Sequence, residues 1–207
     1  MNLLRFICFL QFATTLALGQ PTQESGLPSL RSQPEALVRS LYTEVVARHP
    51  IGIPQEADMK IFTPYLSKVL LHRIDLFQAC YADWLRQNPD PNTKHPFGVF
   101  ESGLFSGADA RSEVQAFQIE RTQSKEDGSF RVIVSLTYDD PPGHPETWRV
   151  ATVVVRESGH FVIDDVIYLK DENIHVESRL SAGLSNQCNG PHWVRNSNPQ
   201  NDVKQKK

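Results

Sequence analysis

Two adjacent carboxylates, Asp164 and Asp165, sit inside the otherwise apolar run His160-Phe-Val-Ile-Asp-Asp-Val-Ile-Tyr-Leu169. A carboxyl group held in an apolar cavity is disfavoured as an anion, so its pKa rises towards neutrality, where it can take or give a proton as a general base or acid. Side chains alternate along a strand, so the two acids are expected on opposite faces, at least one of them covered. A structural role competes with the chemical one: one acid caps a backbone end or meets Arg149 or Arg156 across a sheet while the other faces water. His72 and His144 are further proton carriers by type. His72 has Asp75 three residues on, a spacing that makes helical neighbours and usually amounts to surface electrostatics; His144 lies in a Pro-Pro-Gly-His loop with no local partner.

Motifs with a defined chemistry are absent. The sequence has no Gly-x-Ser-x-Gly, His-Glu-x-x-His, phosphate-binding loop or dinucleotide glycine pattern, so hydrolase, zincin, nucleotide and nicotinamide chemistries have no support, and no cofactor is expected. No His or Cys stands at Cys-x-x-Cys spacing from Cys80 or Cys188, which argues against a metal pair.

The elements that must position these residues begin after residue 19. Asn2 and Arg5 flank an apolar run from Phe6 through Leu18, and Ala17-Leu-Gly19 supplies small residues for cleavage, so residues 1–19 read as a secretory signal. The run is shorter than the roughly 20 residues that cross a bilayer. A secreted or periplasmic chain with no membrane span after signal removal is expected. Residues 20–31, rich in Pro, Ser, Gln and Gly, read as a disordered lead-in. The full chain has 21 basic and 24 acidic residues; removing the signal takes away only Arg5, leaving 20 against 24 and a net charge of −4. That balance argues against nucleic acid as the main partner. Loss of Cys8 leaves Cys80 and Cys188. An oxidising compartment favours one disulfide between them, with two buried thiols as the alternative.

Ser32 and Glu35 form a capping-box pattern ahead of Leu37, Val38, Leu41, Tyr42 and Val45 at helical spacing, and Pro50 ends that helix. A connector over 51–62 precedes a longer helix opened by Thr63-Pro64, whose stripe is Leu66, Leu70, Ile74, Phe77, Tyr81 and Trp84, ending near Asn88–Pro91. Residues 92–110 read as a long loop. Its Phe97, Phe100 and Phe105 either edge a pocket or plug an open end of the core. Four strands come next, Val114–Arg121, Phe130–Tyr138, Thr147–Arg156 and His160–Leu169, separated by turns at Gly128, Gly143 and Gly159. Helices first and an antiparallel meander after make this an α+β domain over 32–170. Residues 171–195 read as a C-terminal extension docked through a short helix carrying Leu180 and Leu184, with Cys188 and Trp193 at its end. Residues 196–207 read as a flexible tail.

Ile61-Phe-Thr-Pro-Tyr-Leu-Ser67, Trp84, Trp148, Val153-Val-Val-Arg-Glu157 and Gly159-His-Phe-Val-Ile-Asp-Asp-Val166 together resemble an uncharacterised family of secreted bacterial proteins. That family is similar to the nuclear transport factor 2-like (cystatin-like) superfamily, and the resemblance covers about residues 34–170. Phe161 stands where Trp is commoner. The resemblance implies a cone in which a curved antiparallel sheet wraps around N-terminal helices. The superfamily holds both enzymes and noncatalytic assembly proteins, so the resemblance implies no reaction and carries no catalytic residue to this chain. Two functional expectations stand side by side. One is a noncatalytic binding or interaction module whose ligand is a small apolar molecule, a peptide or an envelope protein. The other is a small-molecule lyase or isomerase with Asp164 or Asp165 as general base inside the cone. A filled interior favours the first; a buried Asp beside Tyr or His around a closed apolar pocket favours the second.

Overall fold

The computed structural model describes residues 32–97, 102–107, 113–170 and 177–186. The signal, the lead-in, Phe100, Cys188, Trp193 and the tail lie outside the described residues. The order is α1 (Ser32–Arg48), α2 (Glu56–Phe62), α3 (Lys68–Gln87), β1 (Ala116–Ser124), β2 (Phe130–Tyr138), β3 (Glu146–Glu157), β4 (His160–Tyr168), β5 (Ser178–Arg179) and α4 (Leu180–Asn186). The strands form one antiparallel sheet in the order β1-β2-β3-β4-β5. The architecture is therefore α+β, with helices on a curved antiparallel sheet.

Amphipathic periodicity accounts for the helices. Val38, Leu41, Tyr42 and Val45 of α1 and Leu70, Ile74, Phe77 and Trp84 of α3 are all buried. They meet Val132, Val134, Leu136, Trp148, Val150, Val154, Ile163 and Val166 of the sheet in one core. The long helix starts later than Thr63-Pro64 suggested. Thr63–Tyr65 is a single 3-10 turn, Leu66 is extended, and Ser67 is the cap, its Oγ accepting from Leu70 N at 3.0 Å. Leu66 leaves the helical stripe to bridge Ile163 of β4, and Ser67 N donates to Ile163 O at 2.8 Å. The connector over 51–62 holds α2. The Glu35 carboxylate, expected in a capping box, accepts from Thr122 Oγ1 at 2.7 Å and ties α1 to β1.

Two bulges bend the sheet. Ile119 pairs with Val134 but Arg121 with Ile133, so Glu120 is an extra residue in β1. Val153 pairs with Asp165 but Val154 with Ile163, so Asp164 is an extra residue in β4. An inserted residue breaks the ladder locally, increases the twist and resets which side chains share a face. Phe161 and Ile163 before the bulge and Val166 and Tyr168 after it all join the helix-bearing core, while Ile167 turns to the opposite face with Ile133 and Ala151. Strict alternation would place Phe161 and Ile163 on one face with Ile167 and Leu169, and the bulge at Asp164 breaks it.

β5 is a fifth strand that the sequence did not announce. It pairs with the end of β4, Ile167 with Arg179 and Tyr168 with Ser178. With the Leu66 bridge at the other end, β4 has neighbours on both edges, and β3 is the middle strand of the five. The helix expected around Leu180 and Leu184 is α4, which packs on α3 and buries both leucines.

Candidate functional site

The bulge places Asp164 and Asp165 against two different helix starts. Asp164 Oδ1 accepts from Ser67 Oγ at 2.6 Å, and the same Oγ accepts from Leu70 N, so the carboxylate acts through Ser67 on the first turn of α3. Asp165 is 5% exposed. Its Oδ1 accepts from Val166 N at 2.9 Å and Ser181 N at 3.0 Å, and its Oδ2 accepts from Ser181 Oγ at 2.7 Å. Arg179 lies 3.6 Å from Oδ2. A negative charge at the N-terminal turn of a helix satisfies amide groups that the helix cannot pair internally and opposes its dipole. Both acids therefore fasten helices. The cation beside Asp165 is Arg179 of β5, in place of the expected Arg149 or Arg156. Arg156 instead lies over the Phe161 ring, 4.6 Å from its centre.

Between helices and sheet the described residues form one continuous hydrophobic core. Tyr42, Phe62, Phe77, Phe97 and Phe105 are essentially inaccessible to solvent. Phe62 and Phe105 pack with ring centres 5.0 Å apart, and Phe77 meets Phe97 edge-on at 5.4 Å. Of the two roles open to the loop aromatics, Phe97 and Phe105 take that of a plug. The segment 102–107 is sewn across the sheet by side chains: Tyr42 Oη donates to Phe105 O at 2.9 Å, Tyr168 Oη to Leu104 O at 2.7 Å, and Trp148 Nε1 to Ser106 O at 2.9 Å. Burial pushes the Tyr42 and Tyr168 phenols well above the ordinary value, so neither ionises near neutral pH. The polar atoms that could have faced a substrate are occupied by the chain's own carbonyls.

No family model, curated protein or solved structure matches this chain.

The other sequence candidates do not converge. His72 is exposed on α3, and among the described residues no ion pair joins it to Asp75. His144 is exposed in a turn in which Asp139 Oδ1 accepts from the Gly143 and His144 amides at 2.8 and 3.0 Å. Cys80 is half-buried on α3 against the core, while Cys188 lies outside the described residues. Among the described residues no group of three or more His, Cys, Asp or Glu side chains is placed to hold a metal ion, and no helix is long and apolar enough to cross a membrane.

One titratable pair escaped the sequence. His49 ends α1 with φ +47°, and its Nδ1 lies 3.9 Å from Glu113 Oε2 beside a cavity of about 10 Å³. That volume holds about one water. Only the geometry brings residues 49 and 113 together; nothing in their spacing announces it.

Proposed function

We propose that this chain is a secreted or periplasmic module of nuclear transport factor 2-like shape that acts by binding rather than by catalysis. One observation supports this above the others: the space between helices and sheet is occupied by Tyr42, Phe62, Phe77, Phe97 and Phe105, and the Tyr42, Tyr168 and Trp148 donors are committed to carbonyls of residues 104–106. Catalysis by a buried acid needs that acid within hydrogen-bond reach of a substrate proton. Asp164 is engaged by Ser67, and Asp165 by Val166, Ser181 and Arg179. This arrangement supports a peptide or an envelope protein as partner over a small apolar ligand within the fold.

Titrating the chain from residue 20 onward with an anilinonaphthalene sulfonate dye tests the reading. No stoichiometric, saturable uptake into the folded protein is expected. Uptake at one site per chain, abolished by Phe105→Trp with the fold intact, would overturn it. Fusing residues 1–19 to a reporter active only outside the cytoplasm tests the localisation; an inactive reporter rejects export.

A further inference from the structure

The sheet face turned away from the helices carries four arginines, of which only Arg179 meets a carboxylate among the described residues. Arg121 pairs across the strands with Ile133, Arg131 with Val153, and Arg179 with Ile167. Ile133, Val153 and Ile167 belong to the small apolar cluster of this second face, so the three arginines share it. Arg149 joins them, because its neighbours Trp148 and Val150 both point into the helix-bearing core. The floor between them is Ile133, Ala151 and Ile167, all buried.

Elsewhere several cations meet carboxylates, Arg48 with Glu44 and Asp58, Lys60 with Glu56, Lys68 with Glu157 and Arg86 with Asp83, while among the described residues Arg39 and Arg73 stand singly on separate helices instead of sharing a face. On the second face, Arg121, Arg131 and Arg149 form no ion pair among the described residues. Among the described residues Arg179 has only Asp165, whose oxygens also accept from Ser181 and Val166. This occurs in a chain with more acidic than basic residues. At the β1–β2 turn the face opens into a depression of about 730 Å³ whose lining includes Lys125, Arg131, Val153 and Arg179. Glu126 and Asp127 also line it, and the hydrogen bonds from Ser129 hold the Asp127 pKa below the usual range and keep it anionic, so an acidic segment would be received by the arginines away from this turn.

From these observations we infer that the second sheet face docks an acidic polypeptide segment, its carboxylates received by Arg121, Arg131, Arg149 and Arg179. The inference names the partner class for the binding module proposed above and rests on that reading. Arginine suits carboxylates because its planar fork donates two parallel hydrogen bonds. Spacing sets the size of the partner. The arginines extend from β1 to β5, four strand intervals, or about 19 Å at the usual separation of neighbouring strands. A lone phosphate or carboxylate spans far less; about six residues of extended chain span it. An anionic membrane is a poorer fit, since the apolar residues here form a buried floor beneath the arginines and offer nothing to insert. Single-stranded nucleic acid is a poorer fit as well. Phe117, Phe130, Phe161 and Tyr168 of the sheet all pack on the helix-bearing side, leaving no stacking platform on this face among the described residues.

The test uses the chain from residue 20 onward and a fluorescein-labelled dodecamer of glutamate, with binding followed by anisotropy at low and at physiological salt. Saturable binding that weakens with salt is expected. Replacing Arg121, Arg131 and Arg149 together with Gln should weaken it by about tenfold or more with an unchanged melting temperature. The control is the triple variant Arg39→Gln, Lys60→Gln, Lys68→Gln, which removes the same charge from the helix side and should retain binding. Equal loss in both variants would reduce the effect to net charge and overturn the proposal. So would the absence of peptide binding at low salt, or binding to phosphatidylglycerol vesicles without binding to the peptide. Dye uptake into the interior would defeat the binding-module reading instead, so the two failures are told apart.

Discussion

The two faces of the sheet use polar groups in opposite ways. On the helix-bearing side every donor or acid that attracts notice is consumed by the fold: Tyr42, Tyr168 and Trp148 hold backbone carbonyls, and Asp164 holds Ser67. On the other side Arg121, Arg131 and Arg149 stand without carboxylates among the described residues over a small apolar floor. A buried polar group must be satisfied within the chain or it costs folding free energy, whereas an exposed charge can wait for a partner. Burial thus marks structure here, and unanswered exposure marks the surface available for recognition.

The contrast between the faces can be broken by mutation, and the largest effect is expected where covalent closure is proposed. If Cys80 and Cys188 form a disulfide, the loop they close spans about a hundred residues, and Cys188→Ser lowers stability by about 4 kcal/mol in the chain-entropy model. Thiol titration of the denatured, non-reduced chain from residue 20 onward checks it; two free thiols reject the bond. Val69 and Leu76, 51% and 57% exposed, lie on the face of α3 that carries Cys80 and offer an apolar seat for a segment tethered there.

Next comes Asp165→Ala, which removes three hydrogen bonds from a nearly buried carboxylate and leaves Ser181 and Arg179 without it. Chemical denaturation should show a loss of about 3 kcal/mol. Gly107→Ala should cost about 2 kcal/mol, because Gly107 has φ +68° and an added Cβ would lie 2.6 Å from the Tyr168 ring. A fully stable variant would mean that the 102–107 segment is not held against Tyr168 as described.

Tyr42→Phe is smaller at neutral pH, about 1.5 kcal/mol for the bond donated to Phe105 O and the longer one accepted from Thr152 Oγ1. Its signature lies in alkali. The folded phenol has a pKa raised by burial above its unfolded value of 10.0, so above that pH the unfolded chain releases a proton that the folded chain retains, and stability falls as pH rises. In Tyr42→Phe that alkaline loss should be shallower in melts above about pH 10, and an unchanged slope counts against the phenol's role. Smallest of all, Arg149→Gln on the opposite face should move stability by no more than about 0.5 kcal/mol. A loss comparable to that of Asp165→Ala would erase the distinction between the faces.

Much of the architecture was legible because it rests on local rules. The stripe Leu70, Ile74, Phe77 and Trp84 and the alternation in Phe130–Tyr138 predict one helix and one strand whatever they pack on, and both stand. The start of α3 was not legible. Thr63-Pro64 has the form of a helix opening, but the bridge from Leu66 to Ile163 pulls the chain straight and moves the cap to Ser67, a decision made by residues almost a hundred positions away. The aspartates were half legible: a covered acid capping a backbone end is expected, and Asp165 does that, but its partners were hidden. Alternation assumes an unbroken ladder, and a bulge at Asp164 leaves no mark in one strand's sequence because it is defined by the register of two. The arginine face was hidden likewise, since Arg121 and Arg179 share a surface only through the row of pairings Arg121–Ile133–Ala151–Ile167–Arg179 across five strands.

The clasp between Ser67 and Asp164 joins residues 97 positions apart, whereas that between Asp165 and Ser181 spans 16. Closing a short loop sacrifices less chain entropy than closing a long one. The β3–β4 hairpin with α4 can therefore assemble as a local unit, while the start of α3 waits for β4 to exist. Synthesis sharpens that order, because Ser67 leaves the ribosome well before the acid that fixes it, so α3 spends its earliest life without the Asp164 anchor.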